Sequence, residues 1–242
     1  MMLTIDIGNT TIHLGVFEGR RLRTFFSLPT SMARTPNRLR SRFARLSSVD
    51  EVILCSVVPW ATSGVVRALR QAGVPRVRVV GHDVRVPLKN RYRYPRQVGQ
   101  DRLVGAYAAW KVYRRDCIVC DFGTAITIDI VTKAGEYLGG IIAPGLEISL
   151  DALATRTALL PKVELRRPPE LLGRDTANSI RSGLLYGCAA LCDGLVTQLK
   201  RSYAPKAVVV ATGGASSLVT SYMQTIDHVT PHLVLDGLRH LS

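Results

Sequence analysis

Hydrophobic and polar positions near the N-terminus follow the pattern of β-strands separated by short turns. Residues 3–7 and 11–17 are mostly apolar, and Gly8 interrupts them. A second turn at Gly19 leads to a third apolar stretch over residues 22–28. Because these stretches are rich in β-branched residues and are bounded by glycine turns, we predict three consecutive strands.

The same pattern returns in the second half of the chain. Residues 118–122 and 126–131 resemble the first strand pair, and residues 136–142 resemble the third strand. Each first strand has an acidic residue next to its last position, Asp6 or Asp121, with glycine two positions later. The self-similarity predicts two copies of a β-β-β-α-β-α-β unit.

Alternating strand and helix patterns follow each triplet of strands. The predicted elements are strand 52–58, helix 61–72, strand 76–80, crossover helix 102–114, a helical stretch from 148, helix 176–203 and buried strand 207–211. Two similar α/β domains are therefore expected, over residues 1–113 and 114–242. Ligands of such folds bind at the carboxyl ends of the strands, so both acidic turns are expected at a central cleft.

Composition is typical of a soluble globular protein, with 47% hydrophobic and 21% charged residues among 242. No apolar run approaches the roughly 20 residues that span a bilayer. Met1 and Met2 lead directly into the first predicted strand without a basic segment, so we expect no secretory signal. The predicted location is the cytoplasm.

The net charge of +14 supports two interpretations. Basic residues are concentrated over residues 20–45, 89–96 and 162–174. Such charge often marks nucleic-acid binding, yet no helix-turn-helix, RNP or zinc-finger pattern accompanies it. The favoured interpretation is a basic solvated surface that attracts anionic substrates.

Cys117 and Cys120 form a C-x-x-C pair, which can indicate zinc or redox chemistry. The segment reads as a buried strand, however, whose period of two places the two side chains on opposite faces. No second C-x-x-C or H-x-x-x-H completes a metal site. Buried free thiols are the favoured interpretation.

The two acidic turns can bind phosphates. A tight turn with glycine exposes backbone N–H groups, and threonine or asparagine adds donors. Asp6 beside a phosphate could hold Mg²⁺ through water, and Asp121 would act equivalently in the second copy. The alternative is that both turns only reverse the chain; finding two copies within a repeated unit favours phosphate binding.

Two further segments have a structural and a functional interpretation. Gly213 and Gly214 follow a buried strand and could form a simple turn or a nucleoside pocket. Asp101 could cap a helix, and Arg102 could form an ion pair at the surface of that helix. Alternatively, Asp101 accepts the proton of an attacking hydroxyl while Arg102 binds a carboxylate bidentately. Phosphoryl transfer depends mainly on such positioning and charge neutralisation.

The ordered motifs resemble those of type III pantothenate kinases, along essentially the whole chain. The segments that carry the resemblance are residues 6–10, 56–59, 92–102, 121–125, 139–145, 173–183 and 212–214. The resemblance implies a duplicated actin/hexokinase-like (ribonuclease H-like) fold. It also implies ATP-dependent phosphorylation of pantothenate at its primary hydroxyl, the first step toward coenzyme A, by a homodimer using Mg²⁺ and a monovalent cation, K⁺ or NH₄⁺.

The resemblance assigns roles to individual residues. Asp101 is implied as the catalytic base, Asp121 as the K⁺ ligand and Asp6 as the Mg²⁺ contact through water. ATP contacts are implied for Asp6, Ile7, Gly8, Asn9, Thr10, Thr11, Ile12, His13, Thr124, Gly213 and Gly214. Pantothenate contacts are implied for Tyr92, Gly99, Gln100, Asp101, Arg102 and Thr176, with Thr176 donated across the dimer interface.

Some positions depart from the family pattern. Arg174, Asp175 and Arg181 stand where Lys, Asn and Gln are more usual, which changes the charge near the expected substrate wall. Two other functions stay open: a non-catalytic regulator associated with nucleic acid, and a kinase for another small hydroxylated acid or sugar. Retention of the acidic and phosphate-loop residues together argues against a catalytically dead protein.

Overall fold

The computed structural model describes residues 1–44 and 49–242, which divide into two compact units. The first unit comprises Met1–Ala108 together with Leu233–Ser242, and the second comprises Ala109–His232. The predicted domains divided after residue 113. Arg45, the last residue of the first basic segment, lies outside the described residues.

The first unit is built on a sheet of order β3-β2-β1-β4-β5. Its elements are β1 Met2–Ile7, β2 Thr11–Glu18, β3 Arg21–Pro29, α1 Pro36–Phe43, β4 Glu51–Ser56, α2 Pro59–Gln71, β5 Arg76–Val79, β6 Lys89–Asn90 and α7 Leu233–Arg239. Strand β1 is antiparallel to β2 and parallel to β4, so Asp6 lies opposite His13 on one side and Cys55 on the other.

Helices cover both faces of this sheet. Leu39 of α1 and Val65 of α2 pack with Leu3 and Ile5 of β1 in one apolar core. On the opposite face, Leu235 and other residues of α7 pack with β2 and β4 in a second core. Burial of both faces explains the nearly continuous apolar runs of the central strands.

The second unit has the strand order β11-β10-β7-β8-β9. Its elements are β7 Cys117–Phe122, β8 Ala125–Val131, β9 Glu136–Pro144, α4 Leu146–Arg156, α5 Thr176–Ser202, β10 Val208–Thr212, α6 Ser216–Val219 and β11 His228–Val229. Helix α3, Gln100–Tyr113, begins in the first unit and ends in the second. Strand β7 is antiparallel to β8 and parallel to β10.

The two strand orders confirm the predicted duplication. Each unit has an antiparallel triplet whose first strand pairs in parallel with the strand that follows the helical region. The types of these predicted elements are confirmed, with end points shifted by at most two residues. Strand β4 ends at Ser56, two residues early, because Pro59 opens α2 and lacks the N–H that a strand ladder requires.

Two helices were not predicted from the sequence. Helix α1 is basic and buries only Leu39 and Phe43, which is a weak periodic signal. Helix α7 has seven residues, too few to show helical periodicity. Its packing on β1, β2 and β4 places the last ten residues with the first unit.

Cys117 and Cys120 lie in β7, as predicted, and both thiols are buried. Burial is the main cause that raises the pKa of Cys117 to about 12, and it also raises the pKa of Cys120. Both groups therefore stay protonated near neutral pH, and all five cysteines are free. Within the described part of the chain, no helix has the length and apolarity needed to cross a membrane.

Candidate active site

The first phosphate-type loop is the turn that joins β1 to β2. The Gly8 N–H donates to the Thr11 carbonyl at 3.0 Å, and a Cβ on Gly8 would lie only 3.2 Å from that oxygen. Asn9 and Thr10 form the exposed tip. Ile7 and Ile12 were both predicted to contact ATP, but their side chains are buried in the core. Only their main chains can reach a ligand.

Thr30 holds this loop from behind, and sequence reasoning missed it. Its hydroxyl donates to the Gly8 carbonyl at 2.7 Å, and its N–H donates to the Thr10 carbonyl at 2.9 Å. Thr30 is 1% exposed. Two carbonyls of the loop are thereby engaged by the protein, which fixes the main chain on both sides of Asn9. A threonine 22 residues from its partner has no local signature that could have revealed it.

Asp6 is the penultimate residue of β1 and lies beside the buried thiol of Cys55. The thiol donates to Asp6 Oδ1 at a sulfur–oxygen distance of 3.3 Å. Burial raises the pKa of Cys55 well above its usual range, and the negative charges of Asp6 and then Asp101 raise it further. Val57 gives the geometric link between the first phosphate loop and the candidate base: its N–H donates to the Ile7 carbonyl at 3.1 Å, and its side chain would lie 3.2 Å from a Cβ on Gly99.

The candidate base Asp101 is held at the start of α3. Helix α3 begins at Gln100, so Asp101 lies in its first turn, and its Oδ1 accepts the Arg102 N–H at 2.7 Å. A Cβ on Gly99 would come within 2.4 Å of Asp101 Oδ1 and 3.2 Å of Val57. Glycine at position 99 therefore leaves the space that the carboxylate occupies.

The other predicted substrate residues of the first unit include Gln100 and Arg102, which flank Asp101 in sequence, and Tyr92. Gln100 packs over Gly81, whose φ of +88° favours glycine, with a carbon of its side-chain amide 3.0 Å from where a Cβ would stand. The Tyr92 N–H donates to Asn90 Oδ1 at 3.0 Å. Tyr92 and Arg102 are both partly exposed, so their side chains remain accessible to a ligand.

The second phosphate-type loop joins β7 to β8. The Gly123 N–H donates to the Ala125 carbonyl at 3.2 Å, and Thr124 is exposed at the tip. Gly213 packs directly on this loop with a φ of +92°. A Cβ there would lie 2.3 Å from Asp121 Oδ1, whereas one on Gly214 would meet open space.

Gly145, in the second unit, is another residue that was not predicted as a site residue. A Cβ at that position would lie 2.2 Å from the Thr124 carbonyl and 2.5 Å from the Gly123 carbonyl. The Ala215 N–H donates to the Phe122 carbonyl at 3.1 Å. Glycines that follow β9 and β10 thus pack against the β7–β8 turn and fix its main chain.

Thr176 is exposed at the first position of α5. Asp175 caps this helix by accepting the Asn178 N–H at 2.8 Å, and that bond is the main cause that lowers the pKa of Asp175. Arg181 is buried, and its Nε donates to the Glu164 carbonyl at 2.9 Å. Two of the departures from the family pattern therefore shape the main chain next to Thr176.

The predicted site residues thus form two local groups and one separate position. The first unit brings together the loop of residues 6–13 and the segment 99–102 on either side of Val57. The second unit brings together Asp121, Thr124 and Gly213.

Comparison with known proteins decides what these groups belong to. A family model described as type III pantothenate kinase matches residues 2–198. The type III pantothenate kinase of Anaeromyxobacter sp. (strain Fw109-5) is 42% identical and covers 100% of this chain and 98% of its own. The chain belongs to the type III pantothenate kinase family. The type III pantothenate kinase of Moorella thermoacetica is 38% identical, covering 99% of this chain and 97% of its own.

The fold agrees with that membership. A glucokinase from an Antarctic psychrotroph superimposes with a TM-score of 0.51 at 11% identity, covering 98% of this chain and 97% of its own. At such low identity the likeness shows the fold alone. It confirms duplicated actin/hexokinase-like α/β domains, and the family membership shows an ATP-dependent kinase.

A type III pantothenate kinase binds ATP with a divalent metal, and the donors present fit such a metal. No group of three or more His, Cys, Asp or Glu residues within residues 1–44 and 49–242 could hold a metal alone. Mg²⁺ keeps several waters and is commonly held by one or two carboxylates together with substrate phosphates. One carboxylate, that of Asp6, at the edge of a phosphate-type loop matches this requirement.

Proposed function

We propose that this protein transfers the γ-phosphoryl group of ATP to the primary hydroxyl of pantothenate, giving 4′-phosphopantothenate and ADP, with Asp101 as the general base. This is the first step of coenzyme A biosynthesis. The observation that carries the proposal is that Val57 connects the first phosphate loop with the segment that holds Asp101, because its N–H donates to the Ile7 carbonyl at 3.1 Å and its side chain would lie 3.2 Å from a Cβ on Gly99. It supports a base that acts close to the first phosphate loop.

Each remaining group has a role suited to its chemistry. The loop of residues 6–13 would bind phosphates through its main chain, while Asp6 would hold Mg²⁺ through water. Mg²⁺ would neutralise charge that develops on the phosphoryl oxygens. Asp101 would accept the hydroxyl proton, and Arg102 would bind the pantothenate carboxylate through its guanidinium fork.

The second unit would bind the rest of the nucleotide. Thr124 would contact ATP, and Gly213 and Gly214 would let a flat nucleoside approach the main chain. Asp121 would be a ligand of K⁺ or NH₄⁺, since carboxylate oxygens suit hard cations. Tyr92, Gly99 and Gln100 would contact pantothenate.

We further propose a homodimer in the cytoplasm, in which Thr176 reaches pantothenate in the partner's site. The exposed position of Thr176 at the start of α5 supports this arrangement. Mixing Asp101→Asn with Thr176→Ala gives a test. If sites are shared, one site of each mixed dimer regains both residues and activity rises on mixing. No rise above the two separate variants would contradict sharing.

A coupled assay of ADP release tests the reaction itself. ADP should form only when pantothenate is present, and Asp101→Asn should lose about 10²–10⁴-fold in turnover while remaining folded. Asp50→Asn is the matched control, because Asp50 is exposed and pairs with the N-terminal amine at the surface. Turnover in Asp101→Asn equal to that of Asp50→Asn would overturn the base assignment.

The same assay separates the alternatives. A panel of hydroxylated acids and sugars distinguishes pantothenate from another acceptor. Equal rates in Na⁺-free buffer with and without K⁺ or NH₄⁺ would count against the monovalent cation. A non-catalytic regulator is not favoured, because the resemblance to the kinases covers the full chain.

A further inference from the structure

The positive charge of this protein lies almost entirely in the first unit. That unit contains 19 lysines and arginines against 7 aspartates and glutamates, while the second contains 13 against 11. The first unit therefore carries +12 of the net +14. An active site that binds anionic substrates accounts for only a few of these charges, since Arg102 is the one cation among the proposed site residues.

The excess is concentrated on one helical surface. No acidic residue occurs between Glu18 and Asp50, or between Glu51 and Asp83. Helices α1 and α2 lie in these two stretches and pack against each other. We call their solvent side, together with the end of the 3₁₀ turn Thr30–Arg34 that precedes α1, the arginine face. Its members are the exposed residues Arg34, Arg38, Arg40, Arg42, Arg67 and Arg70.

The arginine face lacks compensating carboxylates. Other arginines of the same unit are paired, since Arg23 meets Glu18, and Arg78 meets Glu51. None of the six makes an ion pair with a carboxylate in the described part of the chain. The charge of Arg70 is only a minor cause of the lowered pKa of Asp83. The main causes are the hydrogen bond that the Asp83 carboxylate accepts from the Val79 N–H and its bond to His82.

The face is held rigidly by the core beneath it. Leu39 and Phe43 anchor α1, while Val65, Ala68 and Leu69 anchor α2, and all are buried. A Cβ on Gly64 would lie 2.3 Å from the Ala33 carbonyl, so α2 and the segment that carries Arg34 are in close contact. The guanidinium groups are therefore presented from a fixed surface.

The chemistry of the face matches a phosphodiester backbone. All six cations are arginines, whose planar forks bind phosphate oxygens bidentately. The Arg34 guanidinium lies 4.8 Å from the centre of the Trp60 ring, and Trp60 is 45% exposed, which offers an aromatic surface for base stacking. A groove of about 410 Å³, lined by Arg67, Arg70 and three neighbours, runs along α2.

We propose that the arginine face binds nucleic acid through its phosphate backbone, independently of base sequence and in addition to phosphoryl transfer. An anionic membrane is the competing partner for such a face. Trp60 is the one exposed large apolar residue on α1 and α2, as far as the described residues show. A membrane-inserting surface would need a continuous apolar stripe, so the nucleic-acid partner is favoured.

Fluorescence anisotropy with a labelled single-stranded RNA and a labelled DNA duplex, each about 20 nucleotides long, tests the proposal over a range of salt concentrations. The face variant is Arg38→Glu/Arg42→Glu/Arg67→Glu. Its matched control is Arg156→Glu/Arg166→Glu/Arg201→Glu, three exposed arginines of the second unit that give the same change in net charge. ADP-release activity of both variants verifies folding, and circular dichroism does so if the kinase assay itself is negative.

The wild-type protein should bind both oligonucleotides, with an affinity that falls as salt rises. The face variant should bind about 10-fold or more weakly, with a salt slope smaller by about 3, while the control changes by less than about 3-fold. Equal losses in the two variants, no binding at low salt, or binding to phosphatidylserine vesicles without binding to nucleic acid would each overturn the proposal.

Discussion

The hydroxyl of Thr30 donates a 2.7 Å hydrogen bond to the carbonyl oxygen of Gly8, across 22 residues of sequence. The Thr30 N–H also engages the Thr10 carbonyl. One buried residue thus fixes the main chain on both sides of the exposed tip of the first loop. A loop that binds phosphate through main-chain groups depends on such fixation, because each donor must be placed before the ligand arrives.

Replacing Thr30 by valine removes the hydroxyl but keeps the shape of the side chain. We expect KM for ATP to rise about 5- to 10-fold, since one net hydrogen bond is worth about 1 kcal/mol, with a smaller change in kcat. Thr30→Ser should restore most of the affinity, and calorimetric titration of ATP would measure it directly. An unchanged dissociation constant for ATP in Thr30→Val would show that the bond is dispensable for the loop.

Gly99→Ala should reduce catalysis by displacing Asp101. The new Cβ would stand 2.4 Å from Asp101 Oδ1, so the carboxylate must move. We expect a loss of about 10-fold or more in kcat at nearly constant KM for ATP, because misplacing a base by about 1 Å can cost about 10²-fold. Gly194→Ala is the control, since a Cβ there meets open space. Similar kcat values for the two variants would argue against the geometry of Asp101 as the limiting factor.

The strand triplets could be predicted because each carries its own local pattern of apolar residues and glycine turns. The positions of Thr30, Gly145 and α7 could not be predicted, and the reason is the same for all three. Their positions depend on packing between segments far apart in sequence, such as Thr30 with Gly8 or Leu235 with the core that includes Phe17. The two Asp-x-Gly turns predicted the candidate site from the sequence. The residues that fix those turns could be identified only from the fold.

Gly213 and Gly214 should respond differently to alanine. At Gly213 the φ of +92° and a 2.3 Å approach to Asp121 Oδ1 make any side chain strained, so Gly213→Ala should lower thermal stability and activity together. At Gly214 the Cβ meets open space in the protein. Gly214→Ala should keep the melting temperature and raise KM for ATP severalfold, if a nucleoside lies there. Unchanged KM in Gly214→Ala would remove the nucleoside pocket from this turn.

The buried thiol of Cys117 should make stability fall at alkaline pH. In the unfolded chain a thiol ionises near its ordinary pKa of about 8.5, whereas burial raises the pKa of Cys117 to about 12 in the folded protein. Between these values the folded state retains a proton that the unfolded state has lost. Since stability rises with pH only where the unfolded state binds more protons, the contribution of Cys117 decreases as pH rises through this window.

Urea unfolding at about pH 8 and about pH 10 measures this effect, because the two values lie on either side of the ordinary thiol pKa. The wild-type protein should lose more stability between them than Cys117→Ala, which has no thiol at that position. Val119→Ala, a comparable deletion on the same buried strand, should keep the wild-type dependence on pH. If Cys117→Ala loses as much stability as Val119→Ala over this range, another group must cause the alkaline loss, because the remaining titrating groups are common to both variants.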